Sequence, residues 1–278
     1  MKSKFTIIYL LIAVFFISCS QDNSKIVEEH DDGSPKVIHY FDENSSDQKK
    51  IKEDVFWSNG QLRQSESYDG NRRHGPAQSY YETGELESEK NYLSNREDGV
   101  QSYWFESGQL KYRYEAINGF INGEKTVWFE DGIVAELKNY IDGKEEGKQS
   151  IWHDNGEKKS EYYAHKNRKN GLFRLWYRNG QKEIEFSCVN DTVDGHLTAY
   201  YMTGIPRLEF NFKNFKFEGV QKSWNGDGSP IYHFENYLQD PSKSKERVHF
   251  GNYETWLNDH WELIKYVFDE WNLVSAIK

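Results

Sequence analysis

Between residues 55 and 237 the chain repeats one pattern of apolar and polar positions every 24 residues. Glycine stands at 60, 84, 108, 132, 156, 180, 204 and 228, and a second glycine series at 75, 99, 123, 147, 171, 195 and 219 keeps the same interval. A fixed period of this size marks a repeat architecture, in which each unit buries its apolar face against its neighbours. Counting from the first glycine of each unit as position 0, position −1 is always Asn, Asp, Ser or Thr. Position −4 is always aromatic: Phe56, Tyr80, Trp104, Trp128, Trp152, Trp176, Tyr200 and Trp224. Position −3 is Trp57, Tyr81, Phe105, Phe129, His153, Tyr177, Tyr201 and Asn225. Beyond the glycine, apolar residues favour even positions, with Leu62, Leu86 and Leu110 at +2, Tyr162, Phe186 and Phe210 at +6, and Tyr92, Cys188 and Phe212 at +8. Glu89, Glu161, Glu185 and Glu209 take position +5. Alternation with period two and paired aromatics predict β-strands with one face in and one face out.

Asn-Gly or Asp-Gly between such runs predicts a hairpin, because glycine accepts positive φ without penalty. A three-residue loop, a type I turn followed by glycine in the left-handed region, pairs position −4 with +2 and joins the Trp column to the Leu face. On this register the −4 aromatics should be buried and the −3 aromatics more exposed. The second glycine series, as in Asp98-Gly99 and Asp194-Gly195, is expected to close the other turn. The fold class that follows is all-β: an elongated antiparallel meander of 24-residue hairpins over 55–240, twisting right-handedly.

The period changes at both ends. Lys2 and Lys4 precede an uncharged apolar run, 5–17, of 13 residues, too short to span a bilayer as a helix and suited to a signal-peptide core. It ends Phe16-Ile17-Ser18-Cys19, which resembles a bacterial lipobox with Phe in place of the usual Leu. The resemblance implies cleavage after residue 18 and acylation of Cys19, which would anchor the protein to a membrane. Residues 19–32 read as a polar tether and 33–54 as a degenerate half-repeat capping the first edge, since open sheet edges invite aggregation. Over 241–278 the spacing becomes helical: Trp256, Leu257, Trp261, Ile264, Phe268 and Trp271 line one side of an amphipathic helix over roughly 253–275. Asn252 serves as its N-cap, and the helix is expected to lie over the last strands.

Charge and cysteine content narrow the function. The net charge is −10, and removal of Lys2 and Lys4 leaves 33 basic against 45 acidic residues. No basic stripe is present, so nucleic acid, whose phosphates need Lys/Arg footprints, is not an expected partner. With Cys19 lipidated, Cys188 is the one remaining thiol, expected as a small buried hydrophobe.

With these columns in place, VFWSNGQLRQSESYDGNRRHG (55–75), SYYETGELESEKNYLSNREDG (79–99), YWFESGQLKYRYEAINGFING (103–123) and LWYRNGQKEIEFSCVNDTVDG (175–195) resemble the variant form of the MORN repeat family. That family includes YwqK-like antitoxins and scaffolds of membranes and proteins, so the resemblance implies a binding role and leaves the ligand open.

No catalytic, metal or cofactor motif is found: the nine histidines are scattered, and HExxH, CxxC and phosphate-loop patterns are absent. The chain is therefore expected to be non-enzymatic and without cofactor or bound metal. The carboxylates Glu161, Glu185 and Glu209 form a row that reads as a solvated face or a weak cation site. The −3 column, Trp57, Tyr81, Phe105, Phe129, Tyr177 and Tyr201, is the candidate binding site: a row of aromatics stacks on sugars or docks a partner, or else packs to stiffen the sheet. Three readings follow: a lipid-anchored envelope scaffold for a protein partner, an antitoxin or immunity protein, and a glycan-binding module.

Overall fold

A computed structural model describes residues 23–213, 216–236 and 245–247. The expected signal peptide with Cys19, and the expected helix over 253–275, lie outside the described residues. Among those described, 22 strands form one antiparallel sheet. Successive strands pair from Ser24–Glu29 against Pro35–Phe41 through to Pro230–Asn236 against Lys245–Arg247. Three of the 22 are two-residue pieces, Arg96–Glu97, Lys144–Glu145 and Lys216–Phe217, each one residue short of the strand that follows. The meander is as expected.

The first turn is the three-residue loop. In each unit the −3 amide donates to the +1 carbonyl and the glycine amide donates back to the −3 carbonyl, as in Trp57 N to Gln61 O at 2.8 Å and Gly60 N to Trp57 O at 2.9 Å. Gly60 sits at φ 83°, the left-handed region this loop requires. Phe56 pairs with Leu62 and Trp104 with Leu110, the −4/+2 register expected.

The next step departs from expectation. Position −5 pairs with +4, not +3, so the +3 residue is bulged out of every hairpin: Val55 faces Gln64, Tyr103 faces Tyr112 and Leu175 faces Ile184. A one-residue bulge flips all later side chains to the other face. Positions +4, +6 and +8 therefore share a face with −5, −7 and −11, here called the inner face. The −4 aromatics stand with +2, −6 and +5 on the outer face. The Trp column does not join the core. The −4 and −3 aromatics are both half-buried, so the expected contrast between them is absent.

The second glycine series also has a different role. The second turn is a two-residue loop at +10 and +11, with positive φ at both residues in Ser94-Asn95, Asn118-Gly119, Asp142-Gly143, Lys166-Asn167 and Asn190-Asp191. These are the turns whose twist matches that of the flanking strands. The glycines at 75, 99, 123, 147, 171, 195 and 219 follow four residues later, within the strands, at positive φ and beside irregular pairing. There an L side chain would be strained, and the chain makes room for a wide bulge.

In three units that bulge is filled by an amide. Gln149 accepts from Asn139 N at 3.0 Å and donates to Asn139 O at 3.1 Å, replacing the ladder bonds the bulge removes. Gln101 does the same for Asn91, and Gln221 for Asn211. Their side chains are fully buried because their polar groups are satisfied by backbone.

At the first edge, Ser24–Glu29 pairs with Pro35–Phe41 across a turn at Gly33 of the same form as the others. The stretch expected as tether already supplies a strand, and the cap is a whole hairpin.

The core lies on the inner face of residues 162–212. Phe173, Phe186 and Phe210 are 0 to 2% exposed, and Ile184, Leu197 and Leu208 complete a single cluster. Phe173 and Phe186 stack at 4.8 Å between centroids.

Candidate functional site

The same columns, followed toward the N-terminus, carry different residues. Position +4 is Gln64, Ser88, Tyr112 and Glu136; position +6 is Glu66, Lys90, Tyr114 and Lys138; position +8 is Tyr68, Tyr92, Tyr140 and the buried Ala116. Most are half-exposed. Cations lie over the rings: Lys50 stands 3.5 Å from the Tyr68 centroid, Arg73 4.3 Å from that of Tyr92 and Lys90 4.9 Å from that of Tyr103. Tyr103 stacks on Tyr112 at 4.1 Å. Tyr68 donates to Glu66 at 2.7 Å and Tyr114 to Glu97 at 2.8 Å. Burial, and behind it the neighbouring Tyr103, pushes the Tyr112 phenol up to about 12. Tyr114 is raised by burial and by its bond to the Glu97 carboxylate. These phenols stay protonated and donating at any physiological pH. Arg73, Glu66, Lys90 and Tyr92 line a hollow of about 250 Å³ in this face.

The candidate −3 row is largely structural. Tyr81 donates its hydroxyl to Trp104 O at 2.8 Å, Tyr177 to Tyr200 O at 2.8 Å and Tyr201 to Trp224 O at 2.9 Å. The Trp57 indole reaches Tyr80 O at 3.3 Å, and ring nitrogens of His30 and His153 meet Phe56 O and Trp176 O. Each of these side chains clamps the −4 carbonyl of the following unit. Phe105 and Phe129 occupy the same position with no group to donate. The bulged +3 cation packs over the −3 ring in three units: Arg63 on Trp57, Lys111 on Phe105 and Arg207 on Tyr201.

The carboxylate row exists and is neutralised. Glu161 holds Lys158 at 2.5 Å and Lys148 at 3.1 Å; Glu185 holds Arg174 at 2.6 Å; Glu209 holds Lys222 at 3.4 Å. Burial opposes ionisation of Glu161 and Glu185, but bonds from these cations outweigh it and hold both carboxyls below their ordinary range. Among the described residues no cluster of His, Cys, Asp and Glu is arranged to bind a metal. Cys188 is buried, donates to Gly171 O at 3.4 Å, and is pushed up to about 11 by burial, so its thiol is a packing group at neutral pH.

The hairpins around Gly84 and Gly108, residues 73–93 and 97–118, match the model of the MORN repeat variant. Residues 73–118 carry two MORN-variant repeats. No curated protein matches it. Among solved structures, the crystal structure of TcdB2-TccC3 is similar over 81% of this chain at 10% identity, with a TM-score of 0.22; the match spans 15% of that chain. The two matched MORN-variant segments sit in the half of the sheet whose inner face is polar and tyrosine-rich.

On the outer face of the sheet, the −4 and +2 residues make one row from Phe56 and Leu62 to Trp224 and Pro230. In the later repeats a lysine lies over nearly every ring: Lys158 between Trp152 and Trp176, Lys182 over Tyr200, Lys222 over Trp224. The residues that the sequence pattern did not single out as a site are the inner-face tyrosines and, on the outer face, Arg113, Glu115 and Trp128. The signal that finds the first set is the −5 column, whose Val55, Val127, Ile151 and Leu175 mark the inner side.

Proposed function

We propose that this protein is a non-enzymatic repeat scaffold of the bacterial cell envelope, held to a membrane by a lipid on Cys19, whose N-terminal inner face docks a protein partner. One observation carries the reading. Columns that fill with buried apolar side chains over 162–212 hold Tyr, Lys, Arg and Glu, most of them half-exposed, over 64–140, on the same backbone register. A sheet that needed this face only for stability would fill it as the later repeats do. Tyrosine and arginine with small polar neighbours are the residues that dominate protein interfaces, because they offer large amphipathic area with few freely rotating bonds. The lipobox at 16–19 supports the membrane placement.

Two measurements test it. Intact mass of the membrane-extracted protein should show loss of residues 1–18 and added acyl chains, and a Cys19→Ala variant should leave the membrane; a full-length unacylated soluble chain would refute the anchor. A photo-crosslinker placed at Lys90 or Tyr103 should trap a discrete partner in cells, while the same group at Lys148 on the outer face should not. Crosslinking from neither face would remove the scaffold reading, and a toxin among the trapped species would make the protein an immunity factor.

A further inference from the structure

The middle of the outer face has lost the partners its equivalents have. Four observations meet there. Trp104 and Trp128 are the tryptophans of the −4 row over which no cation of the described residues lies, whereas Trp152, Trp176 and Trp224 are each covered by lysine. Arg113 occupies position +5, the column of Glu89, Glu161, Glu185 and Glu209, and its strand partners are the neutral Ser102 and Thr126. It makes no ion pair or hydrogen bond among the described residues, nor does Glu115 two residues on, although every other arginine or glutamate of the later +5/−6 ladder is paired. Finally, Val100, Arg113, Glu115, Asn122, Thr126 and Trp128 border an open cleft of about 440 Å³. Glu124 also borders it, and accepts the Thr126 hydroxyl at 3.0 Å.

In the later repeats the charges of the +5/−6 ladder and the tryptophans of the −4 row are engaged within the protein. Here a guanidinium, a carboxylate and an indole are left available side by side, where leaving them so gains the fold nothing. Their chemistry selects the ligand. Arg113 and Glu115 project on one face about 7 Å apart, two residues along a strand. Being opposite in sign and adjacent, they offset each other, and Glu124 leaves the cleft one negative charge in excess, which turns anions away. One offers donors in a fixed fork and the other only acceptors. The flat face of Trp128 suits a ring whose C–H groups point to one side, and the cleft falls within the range of small-ligand sites. A pyranose has these features: an apolar ring face and hydroxyls around its edge that both donate and accept.

We infer that the cleft between Arg113, Glu115 and Trp128 binds a neutral saccharide, with one sugar ring stacked on Trp128 and its hydroxyls bridging Arg113 and Glu115. This inference does not rest on the protein docking proposed for the inner face, which lies on the other side of the sheet.

The experiment titrates the full chain with neutral gluco-oligosaccharides and N-acetylglucosamine oligomers, followed by tryptophan fluorescence and calorimetry. The wild type should bind at least one of these sets, and Trp128→Ala, Arg113→Gln and Glu115→Gln should each weaken binding about tenfold, the equivalent of 1.4 kcal/mol. Trp176→Ala, which removes a lysine-covered ring of the same row, should leave binding unchanged. The two conservative variants keep the result readable if Trp128→Ala misfolds. The inference is overturned if neither set binds at about 10 mM, or if Trp176→Ala weakens binding as much as the cleft variants. Loss of inner-face crosslinks with saccharide binding intact would refute the docking proposal alone.

Discussion

The inner faces of residues 62–141 and 158–213 share one backbone register and are filled by opposite chemistries. In the later stretch Phe173, Phe186 and Phe210 are buried, with Phe173 stacked on Phe186, and hydrophobic burial accounts for the order. In the earlier stretch the equivalent positions carry Lys125, Lys90 and Tyr114, held by cation–ring contacts and by phenol–carboxylate bonds. Such contacts are each worth about 0.5–1 kcal/mol at exposed sites, against about 1.5–3 kcal/mol for burying a large apolar side chain. The two halves therefore divide the work. One stretch stabilises the array, and its neighbour, templated by the shared strands, is released to present polar groups.

The comparison breaks most sharply at the apolar end. Phe186→Ala should destabilise the protein by about 3–5 kcal/mol in urea unfolding, because the surrounding rings cannot collapse into the space. Tyr112→Ala, outside that cluster, should cost about half as much, since a half-exposed ring forfeits less area. Equal losses would show that the halves are energetically alike. Next in size is Gln149→Leu, which leaves the amide and carbonyl of Asn139 without the partners that Gln149 supplies and should cost about 2–3 kcal/mol. The clamps rank below this: Tyr177→Phe should cost about 1 kcal/mol, and Phe129→Tyr, which restores a donor toward Trp152 O, should gain a similar amount. The smallest effect has the opposite sign. Ser160 is 1% exposed at the boundary of the two halves, and its hydroxyl has no partner, so Ser160→Ala should be neutral or stabilising by about 1 kcal/mol in the same assay.

Much of this architecture was legible in the sequence. The hairpin loop and its −4/+2 register follow from the Trp and Leu columns and the glycine between them. The bulge at +3 was not, because Arg63, Glu87, Lys111 and Ala135 share no property that marks a bulged residue; only the pairing beyond it reveals the flip. The second turn was misplaced for a related reason. Its own residues vary, Ser94-Asn95 in one unit and Lys166-Asn167 in another, while the invariant glycines nearby serve the wide bulge. The −3 row was legible as a row, with docking and packing both left open, since sequence shows an aromatic's type and not which way its polar tip points. The cleft at Arg113 was missed because its significance lies in partners that are absent, and absence is visible only once the neighbours are placed.

The clamps have a mechanical consequence. Each ties one hairpin to the next near the first-turn edge, so a pull applied across the strands loads them one after another, in the manner of a zipper. Two links in the middle, at Phe105 and Phe129, are undone from the start. Under tension the array should part there first, into two shorter blocks, and the saccharide cleft lies on that seam. A ligand bridging Arg113 and Trp128 would span strands on either side of the weak point and act as a stitch, so that filling the cleft raises the force at which the molecule opens.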